Sequence, residues 1–509
     1  MTKTKSPSFV LELELILNPH ERKRLKKKLN IGRQIYNACL GEALKLLHKV
    51  QNDKEYRVLL DALKTVKAEI AKTEKQKRSK EQKEALKELK QQKDFIMSEL
   101  KRNELEYGYS EYTLHAWAAQ CGSHFDGQVG APEVQKLATR AFKAVEKLHY
   151  HEAERVHFKK NGELISVENK SNKQGLRWKN ERVLWGDLCL AVCIRKKDDY
   201  AREALKARTK YIRIVPKIIR GKERFYVQFV QEGFPPVKER VVVGPINEVV
   251  GIDPGTSTMA IASETTVRLE ELAPETGVDE KKLRRIQRAM DRSKRATNPE
   301  NYHADGRSKK GKHKWTFSNR YKRLAARRKE LYRKVAVKRK QSHEIPANKI
   351  IAIGLDVRVE SMQYKGLQKR AKKTTRNQKN GKINKKKRFG KSLGNRAPAM
   401  FLTILDQKLK HFGQELKKVN TTALKASQFN HVTGKCTKKE LKDRWNLING
   451  KLVQRDLYSA FLIANTNDDL NAINIEQANQ WYERFLQLHN MEVERLKQNS
   501  SKTLKWFVA

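Results

Sequence analysis

The sequence predicts a composite chain: an all-β part interrupted by an all-α stretch, followed by an α/β domain. Three observations predict it. Residues 9–15, Phe9-Val10-Leu11-Glu12-Leu13-Glu14-Leu15, alternate apolar and polar side chains as a half-buried strand does, yet no strand neighbours them in sequence. Their partner must lie far along the chain, which makes the following helical stretch an insertion into a β-domain. In that stretch apolar residues recur at spacings of three and four, the signature of amphipathic helices. Finally, residues 249–263, Val249-Val250-Gly251-Ile252-Asp253-Pro254-Gly255-Thr256-Ser257-Thr258-Met259-Ala260-Ile261-Ala262-Ser263, set one carboxylate between two β-prone runs. The turn signal Pro254-Gly255 follows it directly, so the segment reads as a hairpin with Asp253 at the end of its first strand.

The elements follow in order. A helix is expected over residues 20–50, with Leu25, Leu29, Tyr36, Leu40, Ala43, Leu47 and Val50 on one face. Another starts at Asp53, and residues 54–105 are helical by composition. Their charged middle, residues 71–80, reads either as a hairpin tip or as a solvated helix face. A further helix is expected over about residues 133–156, after the Gly130-Ala131-Pro132 break. Tyr107, Tyr109, Tyr112, His115 and Trp117 interleave with polar residues, a density that suits stacking on bases, with core packing as the plainer alternative. Between residues 156 and 245 the pattern changes to short strands, Leu164-Ile165-Ser166-Val167, Leu176-Arg177-Trp178 and Val183-Leu184-Trp185. A hairpin over residues 211–230 follows, turning at Arg220-Gly221-Lys222. With residues 9–15 these make a small β-barrel, closed off by Gly233-Phe234-Pro235-Pro236.

Beyond the Asp253 hairpin come two basic helices. Residues 280–295 place Leu283, Ile286 and Met290 on one face, and residues 319–342 do the same with Leu324, Leu331 and Val335. Residues 281–343 carry 24 Lys/Arg against 4 Asp/Glu, with Arg284, Arg285, Arg288, Arg292, Arg327 and Arg328 among them, a density that suits the wall of a nucleic-acid channel. Residues 369–391 hold 12 Lys/Arg and no acid, including Lys369, Arg370, Lys372, Lys373, Lys385, Lys386, Lys387 and Arg388, and are expected to order on phosphate. The whole chain has 110 Lys/Arg against 58 Asp/Glu, a formal net charge of +52. Such a field implies a polyanionic partner, a long structured RNA or an RNA–DNA hybrid rather than one short operator. No apolar run approaches about 18 residues and no signal-peptide core is present, so a soluble intracellular protein with no membrane partner is expected. The five cysteines are scattered and odd in number, which argues against a disulfide framework.

Asp253 is not alone. A buried carboxylate without a partner is costly, and a divalent cation is its natural partner. Glu360 ends a second β-prone run, Asp356-Val357-Arg358-Val359-Glu360, after a helix expected to stop near Gly354; a helix over 398–416 and a strand over 417–420 come next. Asp456 opens an apolar helix that runs to Asn465. The closing segment, residues 473–497, is another amphipathic helix. Two acids at strand ends and one at a helix start, 107 and 96 residues apart, match an RNase H-like nuclease site. There two Mg²⁺ ions, hard cations that take oxygen ligands, serve the attacking water and the leaving oxygen of a phosphodiester.

Gly251-Ile252-Asp253-Pro254-Gly255, Val357-Arg358-Val359-Glu360-Ser361-Met362-Gln363-Tyr364-Lys365-Gly366-Leu367 and Arg455-Asp456-Leu457-Tyr458-Ser459-Ala460 resemble the three split RuvC motifs of transposon-encoded TnpB. That family of RNA-guided DNA endonucleases is related to the compact type V CRISPR effectors. The resemblance is specific over residues 249–465 and architectural before them. It implies catalytic, Mg²⁺-holding roles for Asp253, Glu360 and Asp456, a bound guide RNA, and double-stranded target DNA recognised beside a short adjacent motif. It also implies a layout: a first wedge-barrel strand in 1–18, a helical recognition lobe in 19–155, the wedge barrel in 156–245, and a RuvC domain with motifs one and two in 246–424. A target-nucleic-acid-binding insert in 425–452 and the third motif with a C-terminal helix in 453–509 complete it. The expected location is the nucleoid-associated cytoplasm of a prokaryotic host. The family's zinc ribbon needs two Cys pairs between motifs two and three. Here His431 and Cys436 cannot complete four ligands, so zinc is not expected. Arg444, in Lys439-Glu440-Leu441-Lys442-Asp443-Arg444-Trp445, looks like the family's arginine near the scissile strand, with a surface salt bridge as its alternative. Two rival functions remain: a guided binder that represses without cutting, and an unguided structure-selective nuclease.

Overall fold

The computed structural model describes residues 6–74, 80–164, 166–238, 241–277, 279–370, 374–378, 381, 383–384, 389–438, 440, 443–499 and 501–508. The chain divides into two compact units, one up to Pro236 and one from Val237 onward.

The first unit is built on β1 (Ser8–Ile16), whose Phe9, Leu11, Leu13 and Leu15 are buried while Val10 and Ile16 are exposed. Five helices follow: α1 (Pro19–Asn52), α2 (Lys54–Thr73), α3 (Lys80–Glu106), α4 (Glu111–Ser123) and α5 (Ala131–His149). Asn18 and Glu21 close a capping box at the start of α1, and Pro19 occupies its first turn. The sheet is completed by β2 (Val167–Glu168), β3 (Arg177–Lys179), β4 (Arg182–Trp185) and β5 (Leu188–Cys193). After the short helix α6 (Asp199–Lys206) come β6 (Thr209–Ile219) and β7 (Lys222–Glu232). The strand order is β2-β6-β7-β1-β5-β4-β3, and every pairing is antiparallel. β1 therefore pairs with strands about 180 to 220 residues away, and Arg224 secures the register with a 2.8 Å bond to Glu14. The hydrogen-bonded order is open at β2 and β3, and the sheet curls so that β3 contacts β6.

Several expectations change here. The helix expected to reach residue 156 stops at His149. The strand expected over residues 164–167 reduces to β2, with Ile165 outside the described residues, as are residues 75–79 of the charged run. α4, β5 and α6 are additional. β1, α1, α5 and β7 contribute to one continuous apolar cluster. Among the aromatics, Tyr109 is 2% exposed and belongs to that cluster, whereas Tyr112 is 84% exposed.

The second unit is a three-layer α/β domain. Its strands β8 (Val249–Pro254), β9 (Thr258–Ala262), β10 (Val267–Glu271), β11 (Asp356–Glu360) and β12 (Lys417–Val419) take the order β10-β9-β8-β11-β12. The first three form an antiparallel meander; β11 pairs parallel to β8, and β12 parallel to β11. Between β10 and β11 lie α7 (Glu280–Thr297) and α8 (Asn319–Ile353); between β11 and β12 lie α9 (Tyr364–Gln368), α10 (Gly390–Arg396) and α11 (Pro398–Lys410). The short helix α12 (Thr421–Leu424) and two hairpins, β13 (Phe429–Asn430) with β14 (Lys435–Cys436) and β15 (Trp445–Ile448) with β16 (Lys451–Gln454), lead into α13 (Arg455–Ala464), α14 (Ile475–Gln498) and α15 (Lys502–Val508). α8 joins the helix expected over residues 319–342 and the one expected to stop near Gly354 into a single helix capped at Gly354. Only its C-terminal part buries residues, His343, Ala347, Ile350 and Ile351, against the sheet. Among the described residues no helix is long and apolar enough to cross a membrane.

The period of two along each strand sorts the layers. Val250, Ile252, Val357 and Val359 face the core shared with α8 and α11, whereas Ala260, Ala262 and Leu269 face the core shared with α13, α14 and α15. Gly251, Asp253 and Glu360 fall on the α13 side by the same alternation. Gly251 is where α13 crosses β8: a Cβ there would lie 2.1 Å from Ala460 O and 2.4 Å from Ala464 N. The obstructing atoms are helix backbone, which cannot rotate away. Gly251→Ala is therefore expected to lower the unfolding free energy by about 1–3 kcal/mol, the cost of overpacking. Urea denaturation checks this, and an unchanged midpoint contradicts it.

Candidate active site

Asp253 and Glu360 stand near the carboxyl ends of the parallel neighbours β8 and β11, one residue past the last paired positions Ile252 and Val359. Asp456 lies in the first turn of α13, where a carboxylate is favoured by the helix dipole. Gln454 caps that helix by accepting the Leu457 N–H at 2.8 Å, and the Gln454 N–H donates to His489 Nε2 at 2.9 Å. Since α13 packs on β8, β9 and β11, its start is brought over the ends of the two strands. All three acids line one cleft of about 730 Å³ together with Thr256, Ser257, Thr258, Met362, Gln428 and Phe389.

Burial pushes the Asp253 carboxyl well above the usual carboxylate range, and the negative charges of Asp456 and Glu360 push it further. Burial also raises Glu360. Tyr364, at the start of α9, is raised by burial and by the charges of Asp253 and Glu360; its hydroxyl lies 3.5 Å from Pro254 O. These shifts place three carboxylates within electrostatic reach of one another in a site that water screens poorly.

Two arginines already compensate Asp456. Arg455 approaches its carboxylate at 3.4 Å and Arg444 at 3.6 Å, with both guanidiniums largely buried. Arg455 also donates to Glu440 O and Asp443 O, tying the segment before β15 to the start of α13. The Arg444 guanidinium lies 4.1 Å from the Trp506 ring centre and 4.6 Å from that of Phe507, both on α15. The alternative expected for Arg444, a salt bridge, is present, made to Asp456 at the cleft rather than on an open surface. Lys439, Leu441 and Lys442 of the same segment lie outside the described residues. Among the described residues, no three His, Cys, Asp or Glu side chains stand grouped as a metal centre; Asp456 is turned to its arginines instead.

The other sequence candidates fall elsewhere. Arg284, Arg285, Arg288 and Arg292 are exposed on α7, and Arg284 bonds Glu280 at 3.2 Å. Arg327 is exposed and Arg328 half-buried on α8; Lys369 and Arg370 are exposed just after α9. None of these lines the acidic cleft. Lys372, Lys373, Lys385, Lys386, Lys387 and Arg388 lie outside the described residues. In the insert, His431 is buried among Tyr458, Phe461 and Tyr482, with Nδ1 2.6 Å from the Tyr458 hydroxyl, and burial holds its pKa down to about 4. Cys436 is exposed on β14. Sequence reasoning missed Trp506, Phe507 and the role of Gly251. The apolar doublet at the C-terminus and a glycine two residues before the acid were the available signals.

No protein-family profile and no curated protein matches the chain. Among solved structures, the chain is similar to one described as a cryo-EM structure of the Cas12f1-sgRNA-target DNA complex. The match has a TM-score of 0.40 and 12% identity, covering 91% of this chain and 99% of that one. A second, a cryo-EM structure of a CRISPR-Cas12f ternary complex, matches with a TM-score of 0.23 and 13% identity over 91% of this chain and 99% of that one. Likenesses at these scores do not establish a shared fold.

The raised acids have a consequence for stability without metal. Unfolded Asp and Glu titrate near about 3.9 and 4.3. Below those values folded and unfolded states both hold the protons. As pH rises through the higher folded values the folded chain must accept adjacent like charges, and this contribution to stability is lost. Asp253→Asn removes one charge, so in EDTA its melting temperature is expected to gain on wild type progressively as pH rises above the unfolded carboxylate range of about 4. A difference independent of pH contradicts the assignment.

Proposed function

We propose that this chain is an RNA-guided, Mg²⁺-dependent DNA endonuclease with an RNase H-like RuvC site. The observation that carries the nuclease reading is the convergence of Asp253, Glu360 and Asp456 on one cleft at the carboxyl end of a mixed sheet, where open α/β folds hold their ligands. The mixed sheet, a β10-β9-β8 meander with β11 and β12 parallel beyond it, supports this reading. Guidance by RNA rests on the three-motif resemblance to TnpB and on the net charge of +52. In this reading base pairing supplies sequence choice while the protein supplies charge, shape and the cut.

The donor type suits magnesium, three oxygen-bearing carboxylates lining one cleft, while in this structure they are not grouped as a metal centre and Asp456 is engaged by Arg444 and Arg455. Asp253, Glu360 and Asp456 would hold the two ions, which when bound polarise the phosphate and lower the pKa of water. Zinc has no role in this reading. Arg444, fixed between Trp506, Phe507 and Asp456, would contact a phosphate oxygen of the scissile strand. Arg455 would hold the segment before β15 in place through Glu440 O and Asp443 O.

The test is sequencing of RNA that copurifies with the protein, then Mg²⁺-dependent cleavage of DNA matched to it. A discrete RNA with a variable end is expected, with cleavage abolished in Asp253→Ala while DNA binding persists. Arg444→Ala is expected to slow cleavage by about 10²-fold, as loss of one charge-stabilising donor does. Arg444→Lys is expected to rescue little, since an ammonium lacks the planar guanidinium face that packs against an aromatic ring. Binding without cutting supports the repressor instead. Cutting of branched DNA with no preferred RNA supports the unguided nuclease.

A further inference from the structure

The loop between α7 and α8, residues 298–318, sits outside the acidic cleft and is stitched more tightly than a connection needs. Asn298 and Asn301 are 1% and 5% exposed, and both spend their amides on its two limbs. Asn298 Nδ2 donates to Lys294 O and to Thr316 O, each at 2.8 Å, while its Oδ1 accepts from Thr316 N at 2.6 Å. Asn301 Nδ2 donates to Lys314 O at 2.9 Å, and Asn301 O accepts from Lys309 N at 2.9 Å. The tip turns back on itself through His303 N–H to Arg307 O at 2.8 Å.

This fixed backbone carries charges that oppose its own folding. Arg307, Lys309, Lys310, Lys312 and Lys314 are all exposed on it; Asp305 pairs with the Arg307 guanidinium at 3.4 Å and accepts the Arg307 N–H at 2.9 Å. The aromatic rings divide into two sets. Trp315 is covered by the Lys294 ammonium at 3.4 Å and by Tyr302 edge-on at 5.7 Å, so these rings hold the loop on α7. Phe317 instead stacks on Tyr321 at 4.5 Å, with ring planes 23° apart, and remains 38% exposed. A two-ring stack with an exposed outer ring, beside a row of lysines, has the parts that single-stranded nucleic-acid sites use: a π-face for a base and cations for the flanking phosphates. A duplex does not satisfy it, because its bases are already stacked on one another.

We propose that residues 302–321 form a preorganised finger that binds single-stranded nucleic acid. One base extends the Phe317–Tyr321 stack, and the phosphates beside it lie on Lys309, Lys310, Lys312 and Lys314. The site is independent of the cleavage reading, and its test uses no cleavage.

The full-length protein is irradiated in EDTA with oligonucleotides of about 15 residues carrying 5-iodouracil, as single-stranded RNA, as single-stranded DNA and as duplex DNA, and the crosslinked peptides are mapped. Crosslinks within residues 302–321 are expected for single strands. Their yield is expected to fall roughly tenfold in Phe317→Ala, the size of a lost base stack, and to survive in Phe317→Tyr. An RNA preference identifies a guide-side strand and a DNA preference a target-side strand, and either supports the finger. Equal yield in Phe317→Ala, crosslinks confined to other peptides, or stronger crosslinking of the duplex overturns it. Phe317 is partly exposed and leaves the asparagine network intact, so an unchanged melting temperature in Phe317→Ala separates loss of the site from loss of the fold.

Discussion

The close approach of α13 to β8 over Gly251 is the contact on which the candidate site depends. With no side chain at that position, Ala460 and Ala464 of the helix rest on strand backbone. The helix start is thereby held at the level where Asp253 and Glu360 leave the sheet. The same alternation that puts Val250, Ile252, Val357 and Val359 into one core puts both acids beneath the helix. Separate parts of the chain, far apart in sequence, thus meet through one glycine, two parallel strands and a helix cap.

Electrostatics then decides what such a cluster can do. Burial makes Asp253 and Glu360 resist ionisation, and the charges of Asp456 and Glu360 add to the effect on Asp253. The protein offsets part of that with Arg444 and Arg455 on Asp456, and α15 fixes Arg444 by laying two aromatic rings against it. Glu271, at the end of β10, anchors this arrangement from both sides. It accepts from Arg396 at 2.6 Å and from Ser501, just before α15, at 2.8 Å. Residues 281–343, on α7, α8 and the loop joining them, carry 24 Lys/Arg against 4 Asp/Glu, and none of these cations lines the cleft.

Much of this was legible in the sequence because local signals and tertiary role coincide. Asp253 sits between an apolar run and a Pro-Gly turn, Glu360 ends a β-prone run, and Asp456 opens an apolar helix; all three appear where those signals place them. The strand at residues 9–15 announced a distant partner by lacking a near one. What stayed hidden depends on contacts rather than patterns. β10 carries Arg268, Glu270 and Glu271 and reads as a loop until buried Glu492 of α14 accepts Leu269 N–H at 2.8 Å and Arg268 at 2.9 Å. α15 is too short for helical periodicity to identify, so the rings that hold Arg444 could not be inferred. The shared core of helices and sheet in the first unit was likewise invisible, since alternation shows which face is buried but not against what.

The central claim is that the α13 contact gathers one cation site from Asp253, Glu360 and Asp456. Anomalous diffraction from crystals grown with Mn²⁺ in place of Mg²⁺ tests it most directly. The account predicts anomalous density bounded by those three carboxylates, with Arg444 and Arg455 withdrawn from Asp456. Manganese bound only elsewhere, with both guanidiniums still on Asp456, would contradict it.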